Sequence, residues 1–165
     1  MRVKRRLITC AVAALLLPLA TAAEPLAKRG TYSGKYVWSE RATAVPVEKS
    51  YLFTDAVNQG LFFNAAGSGF LHAAVVICTS QGTVQGEQFS FAGNCVATDK
   101  EGDKASPKWA CSRGGDRCVG TFDWIGGTGK YAGLRGHSQF DGGQVGEGPL
   151  GPVGDANWKG EWQLP

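Results

Sequence analysis

The chain has 165 residues, among them 17 Lys and Arg, 14 Asp and Glu, 24 glycines and 5 tryptophans. Four of the basic residues, Arg2, Lys4, Arg5 and Arg6, stand at the very start, so from residue 24 onward 13 basic residues face 14 acidic ones. That balance leaves no basic surface for nucleic acid or an anionic membrane, and no later stretch approaches the run of about 18 apolar residues that a membrane span requires.

In chain order, MRVKRR is a positive start, LITCAVAALLLPLATA is apolar, and Ala20, Thr21 and Ala22 form a small-residue cleavage pattern. Residues 1–23 therefore read as a Sec-type signal peptide, which directs the protein to the periplasm or the medium. Cys10 precedes the apolar core of this segment rather than following it, which argues against a lipid attachment site.

Residues 24–165 are the size of one domain with one core. Their glycine content suits many short strands joined by tight turns better than long helices. Residues 24–33 read as a loose lead.

Period-two alternation then predicts strands over Lys35 to Val45, Lys49 to Ala56, Gly60 to Asn64, Leu71 to Ser80, Gln88 to Thr98, Lys108 to Cys111, Cys118 to Ile125, Leu134 to Asp141 and Ala156 to Leu164. Turns are expected at NQG, AAGSG, SQG, KEGD, RGGD, GGTG and DGG, and a long exposed loop over Gly142 to Asp155. The final segment is the cleanest, with Trp158, Gly160, Trp162 and Leu164 on one face and Asn157, Lys159, Glu161 and Gln163 on the other. About eight such strands with no helix between them predict an all-β fold. A single closed antiparallel barrel is favoured over a sandwich because closure leaves no unpaired edge.

Cys78, Cys95, Cys111 and Cys118 remain after the signal. An even number in an exported chain predicts two disulfides. Three connectivities are open, and Cys78–Cys95 with Cys111–Cys118 is preferred because each pair brackets a short turn-rich segment. The tight ligand pairs of a zinc site are missing.

GGTGKY superficially suggests a phosphate loop, but Tyr131 follows Lys130 where Ser or Thr is required and strand pattern follows where a helix is required. Asp99, Glu101 and Asp103 resemble the start of a calcium loop without its downstream glutamate. No GxSxG elbow or HExxH helix is present. The sequence thus calls for no metal and no cofactor.

The segment TFDWIGGTGKYAGLRGHSQF resembles the GGTGxFxxARGxA segment of dirigent proteins, and its GGTGKYAGxxG form is similar to bacterial secreted proteins of the allene oxide cyclase barrel-like class. CVATDKEGDK and the CxGTF stretch at Cys118 to Phe122 resemble the bacterial members as well. The resemblance implies an eight-stranded antiparallel barrel that shapes and positions a hydrophobic guest in an apolar cavity; dirigent proteins guide radical coupling and allene oxide cyclase closes a fatty-acid epoxide. It aligns Arg135 with the motif arginine, sets Tyr131 in place of phenylalanine and Leu134 in place of alanine, and leaves a homo-oligomer open, since related barrels form dimers or trimers.

Alternation puts Arg135, His137, Gln139 and Asp141 on one face of their strand, turned either to solvent, the commoner arrangement, or to the lumen. Facing inward, Arg135 would anchor a carboxylate or phenolate and His137 would move a proton, with Asp123 on the preceding strand. Arg135, His137, Asp123 and Tyr131 are accordingly the candidate ligand-binding residues, and no catalytic residue is assigned. His72 shares an expected strand face with Phe70, Ala74, Val76 and Cys78, the setting of a structural histidine. Trp38, Trp109, Trp124, Trp158 and Trp162 are expected in the core and barrel wall, with cavity lining as the alternative. The function expected is noncatalytic binding of a small hydrophobic or aromatic molecule; a cyclase or isomerase confining a reactive intermediate and a structural surface protein are the alternatives.

Overall fold

The computed structural model describes residues 26–165; the expected signal peptide lies outside them. Eight strands run in order: β1 (Arg29–Glu48), β2 (Tyr51–Asn64), β3 (Ala74–Gln85), β4 (Gln88–Thr98), β5 (Lys104–Gly114), β6 (Arg117–Gly127), β7 (Gly136–Gly148) and β8 (Gly151–Gln163). Each is antiparallel to the next, and β8 pairs with β1 to close the barrel. The predicted fold is therefore the observed one, and the disulfides are Cys78–Cys95 and Cys111–Cys118, each joining neighbouring strands.

Several predicted boundaries differ. Asn58, Gln59 and Gly60 lie inside β2, Ser80 to Gly82 inside β3, and Asp141 to Gly143 inside β7, where turns were expected. The tail expected as a loop is the β7–β8 hairpin, turning at Pro149 and Leu150, and the expected lead is already in the barrel, with Arg29 opposite Gln163.

Each of these expected turns contains a glycine that lies within a strand. Glycine is a turn former, whereas inside these strands it lets a neighbouring strand approach closely, with an aromatic ring filling the space at Gly82 and Gly154 and backbone at Gly60 and Gly93. Trp38 stands between Gly60 on β2 and Gly154 on β8, Trp109 opposite Gly93, Trp158 opposite Gly34, and Phe91 opposite Gly82. A side chain at Gly154 would run into the Trp38 indole.

The two ends of the barrel are unlike. The β1–β2, β3–β4, β5–β6 and β7–β8 connections are tight hairpins at one end. The longer connections and the C-terminus gather at the other, which is sealed. There Phe70 stacks on Trp162 with ring centres 4.9 Å apart and meets Trp124 and Tyr131 edge-on at 5.4 and 5.8 Å. Leu71 and Leu134 complete this plug, both buried. Inside it, the Tyr32 hydroxyl and Ser138 Oγ share a hydrogen bond of 2.8 Å, which satisfies two polar groups that would otherwise be stranded in the core.

Candidate functional site

Toward the hairpin end the barrel is not filled. Inward positions there carry small residues, among them Ala56, Ser80 and Ala156, and leave a cavity of about 430 Å³. Its wall is aromatic, formed by Tyr36, Trp38, Trp109, Phe122, Phe140 and Trp158, and both disulfides line it. Phe89 and Phe91 stack near the mouth at 5.3 Å. A broader depression of about 940 Å³ lies on the outer wall against Lys35, Phe63, Thr121, Gln139 and Asn157, open to solvent. The lumen is the better ligand site because a concave apolar wall with a few polar groups can surround a guest.

A connected polar group in the lumen comes from β1 and β2. Tyr36, Trp38 and Glu40 alternate on the inner face of β1, and Glu40 stands directly opposite Asn58 of β2. The Tyr36 hydroxyl donates to Asn58 Oδ1 at 2.8 Å. Burial pushes the Glu40 carboxyl above its ordinary range, and a hydrogen bond from Asn58 offsets only part of that effect. Burial, reinforced by the nearby Glu40, also pushes the Tyr36 hydroxyl up, so it stays protonated and remains a donor.

The residues singled out in the sequence lie elsewhere. Asp123 and His137 are cross-strand partners on the outer wall of β6 and β7, with His137 Nδ1 2.7 Å from Asp123 Oδ1. Arg135 is also exposed and donates to the carbonyls of Ile125 and Leu134 at 2.8 and 2.7 Å. Of the two orientations open to this stripe, solvent is the one observed. Tyr131 is buried in the plug at the sealed end, and burial raises its hydroxyl pKa.

His72 is not in a strand. Leu71 and Ala73 on either side of it have positive φ, 53° and 58°, which breaks the alternation. The ring leaves the face of Phe70 and Ala74 and packs half-buried against Phe63 at 6.2 Å. At the acidic turn, Asp99 Oδ1 accepts from the backbone of Glu101 and Asp103, and the Lys130 ammonium lies 2.6 Å from Asp99 and 2.7 Å from Glu101. A lysine thus stands where a calcium ion would have to sit.

All five tryptophans point inward. Trp124, Trp158 and Trp162 are buried, while Trp38 and Trp109 are half-buried, and Trp38, Trp109 and Trp158 line the cavity. Glu40 and Asn58 were missed, yet a signal was there: in YSGKYVWSE the acid continues the every-second-residue register of Tyr32, Tyr36 and Trp38.

No family model matches the chain, and no curated protein matches it. Among solved structures it is similar to the pterocarpan synthase dirigent protein GePTS1, at 11% identity over 93% of this chain and 100% of that one, with a TM-score of 0.44. The barrel described above rests on its own strand pairing and not on that likeness.

Proposed function

We propose that the protein is an exported barrel of the allene oxide cyclase and dirigent-like type, reaching the periplasm or medium by the Sec route, that binds a small hydrophobic or aromatic molecule in its lumen without reacting with it. The observation that carries this reading is the cavity of about 430 Å³ walled by aromatic rings. The lining hydroxyls of Thr54 and Ser80 have no histidine or lysine among the other lining residues to activate them, which favours binding over turnover.

Magnitudes constrain the guest. A single ring burying about 200 Å² gains about 5 kcal/mol, and association consumes an amount of that order. A guest that fills the lumen, of two or three rings or an equivalent chain, is needed for useful affinity.

Native mass spectrometry of protein purified from its own host tests the reading. A retained small molecule of one defined mass, released on unfolding, is expected. A barrel that emerges empty and takes up no apolar compound overturns it and leaves the structural surface role.

A further inference from the structure

We propose that the lumen discriminates by charge, taking a protonated aromatic amine in preference to a neutral or acidic molecule of the same shape. The inference rests on the lumen being the binding site. The charged residues lining it are Glu40 and Asp116, and no lysine, arginine or histidine is among them. Glu40 forms no ion pair with any described residue, although it is partly buried beside an apolar wall.

Arg41, next to Glu40 in sequence, is on the opposite, outer face of β1, and three further basic groups are engaged elsewhere. Arg113, near the mouth, lies over the Phe89 ring at 6.0 Å and donates to the Glu87 carbonyl at 2.6 Å. Lys35 and Arg117 are bound to Asp155 on the outer wall, and Arg117 also to Asp141.

A carboxylate facing a low-dielectric space repels an acidic guest and attracts an ammonium more strongly than it would in water. The faces of Trp38, Trp109, Trp158 and Tyr36 add a second attraction, because an aromatic face is the negative part of the ring. The Tyr36 hydroxyl is committed to Asn58, so it is not free to hold a guest carboxylate. A guest ring against the indoles with its ammonium toward Glu40 satisfies both features at once.

Calorimetric titration with the two-ring compounds 4-phenylbenzylamine, 4-phenylbenzyl alcohol and 4-phenylbenzoate at neutral pH tests the inference, using the protein itself and Glu40→Gln. The amine is expected to bind at least tenfold tighter than the alcohol, and the acid most weakly. Glu40→Gln is expected to cut the amine's advantage over the alcohol several-fold, leaving what the aromatic faces contribute, and a melting curve shows that the variant is folded. Equal binding of amine and alcohol, or an amine preference undiminished in a folded Glu40→Gln, overturns the charge selection alone. Failure of all three to bind, in protein that also takes up no larger apolar compound, overturns the lumen reading and this inference with it.

Discussion

Glu40 stands directly across β1 and β2 from Asn58, and Asn58 in turn accepts a 2.8 Å hydrogen bond from the Tyr36 hydroxyl. This polar row interrupts a largely aromatic wall, and its carboxyl is held above its ordinary pKa chiefly by burial. A carboxyl whose folded pKa is raised costs stability once it ionises, so the cost is absent below the unfolded pKa and complete above the folded one. Glu40→Gln is therefore expected to melt higher than the native protein at pH 7, with the difference vanishing near pH 4. Melting curves at the two pH values check this.

The Lys130 bridge has the opposite sign. Burial works to raise the Asp99 carboxyl, but the Lys130 ammonium and the backbone N–H groups of Asp103 and Glu101 outweigh it and hold the carboxyl below its usual range. Its stabilising contribution is present above the unfolded pKa and is lost as pH falls through the lower folded value. Lys130→Ala leaves Asp99 charged and buried with its backbone hydrogen bonds but no cation, at a cost of about 1–3 kcal/mol at neutral pH. Denaturant melts should show that loss shrinking below pH 4, and calcium should not restore it.

The two disulfides close loops of different length, with sequence separations of 17 and 7 residues. In the chain-entropy account, removing the Cys78–Cys95 pair by double alanine substitution costs about 3 kcal/mol and removing Cys111–Cys118 about 2 kcal/mol. Urea unfolding of the two double variants should give that order.

Strand-rich composition, the even cysteines and the closed antiparallel topology were legible because alternation and compartment chemistry are local properties of the chain. The glycines were not, since a glycine that faces an aromatic across a strand pair looks the same in sequence as one in a turn. Gly154 illustrates the difference: it lies in β8 against the Trp38 ring. Gly154→Ala should overpack that contact and cost about 1–3 kcal/mol, measured by denaturant melts, where an ordinary loop glycine would tolerate the change.

The candidate site was legible only in part. The GGTGKYAGLRG segment marks the β6–β7 connection and the plug, where Tyr131 and Leu134 are buried, while its charged stripe of Arg135 and His137 faces solvent. Which face of a strand is the lumen depends on how the sheet closes, and alternation alone does not encode that. Glu40 was readable as part of an aromatic register, but its role emerges only when β2 brings Asn58 opposite.

The central claim is that the lumen, and not the outer wall, holds the ligand. Fluorescence titration with the neutral apolar probe N-phenyl-1-naphthylamine tests it most directly, using the native protein, Ala56→Trp, which fills the lumen from a buried lining position, and Arg135→Ala on the exterior. Saturable one-to-one binding in the native protein, its loss in Ala56→Trp and its survival in Arg135→Ala are expected. Binding that persists in a folded Ala56→Trp, or that disappears in Arg135→Ala, would contradict the account.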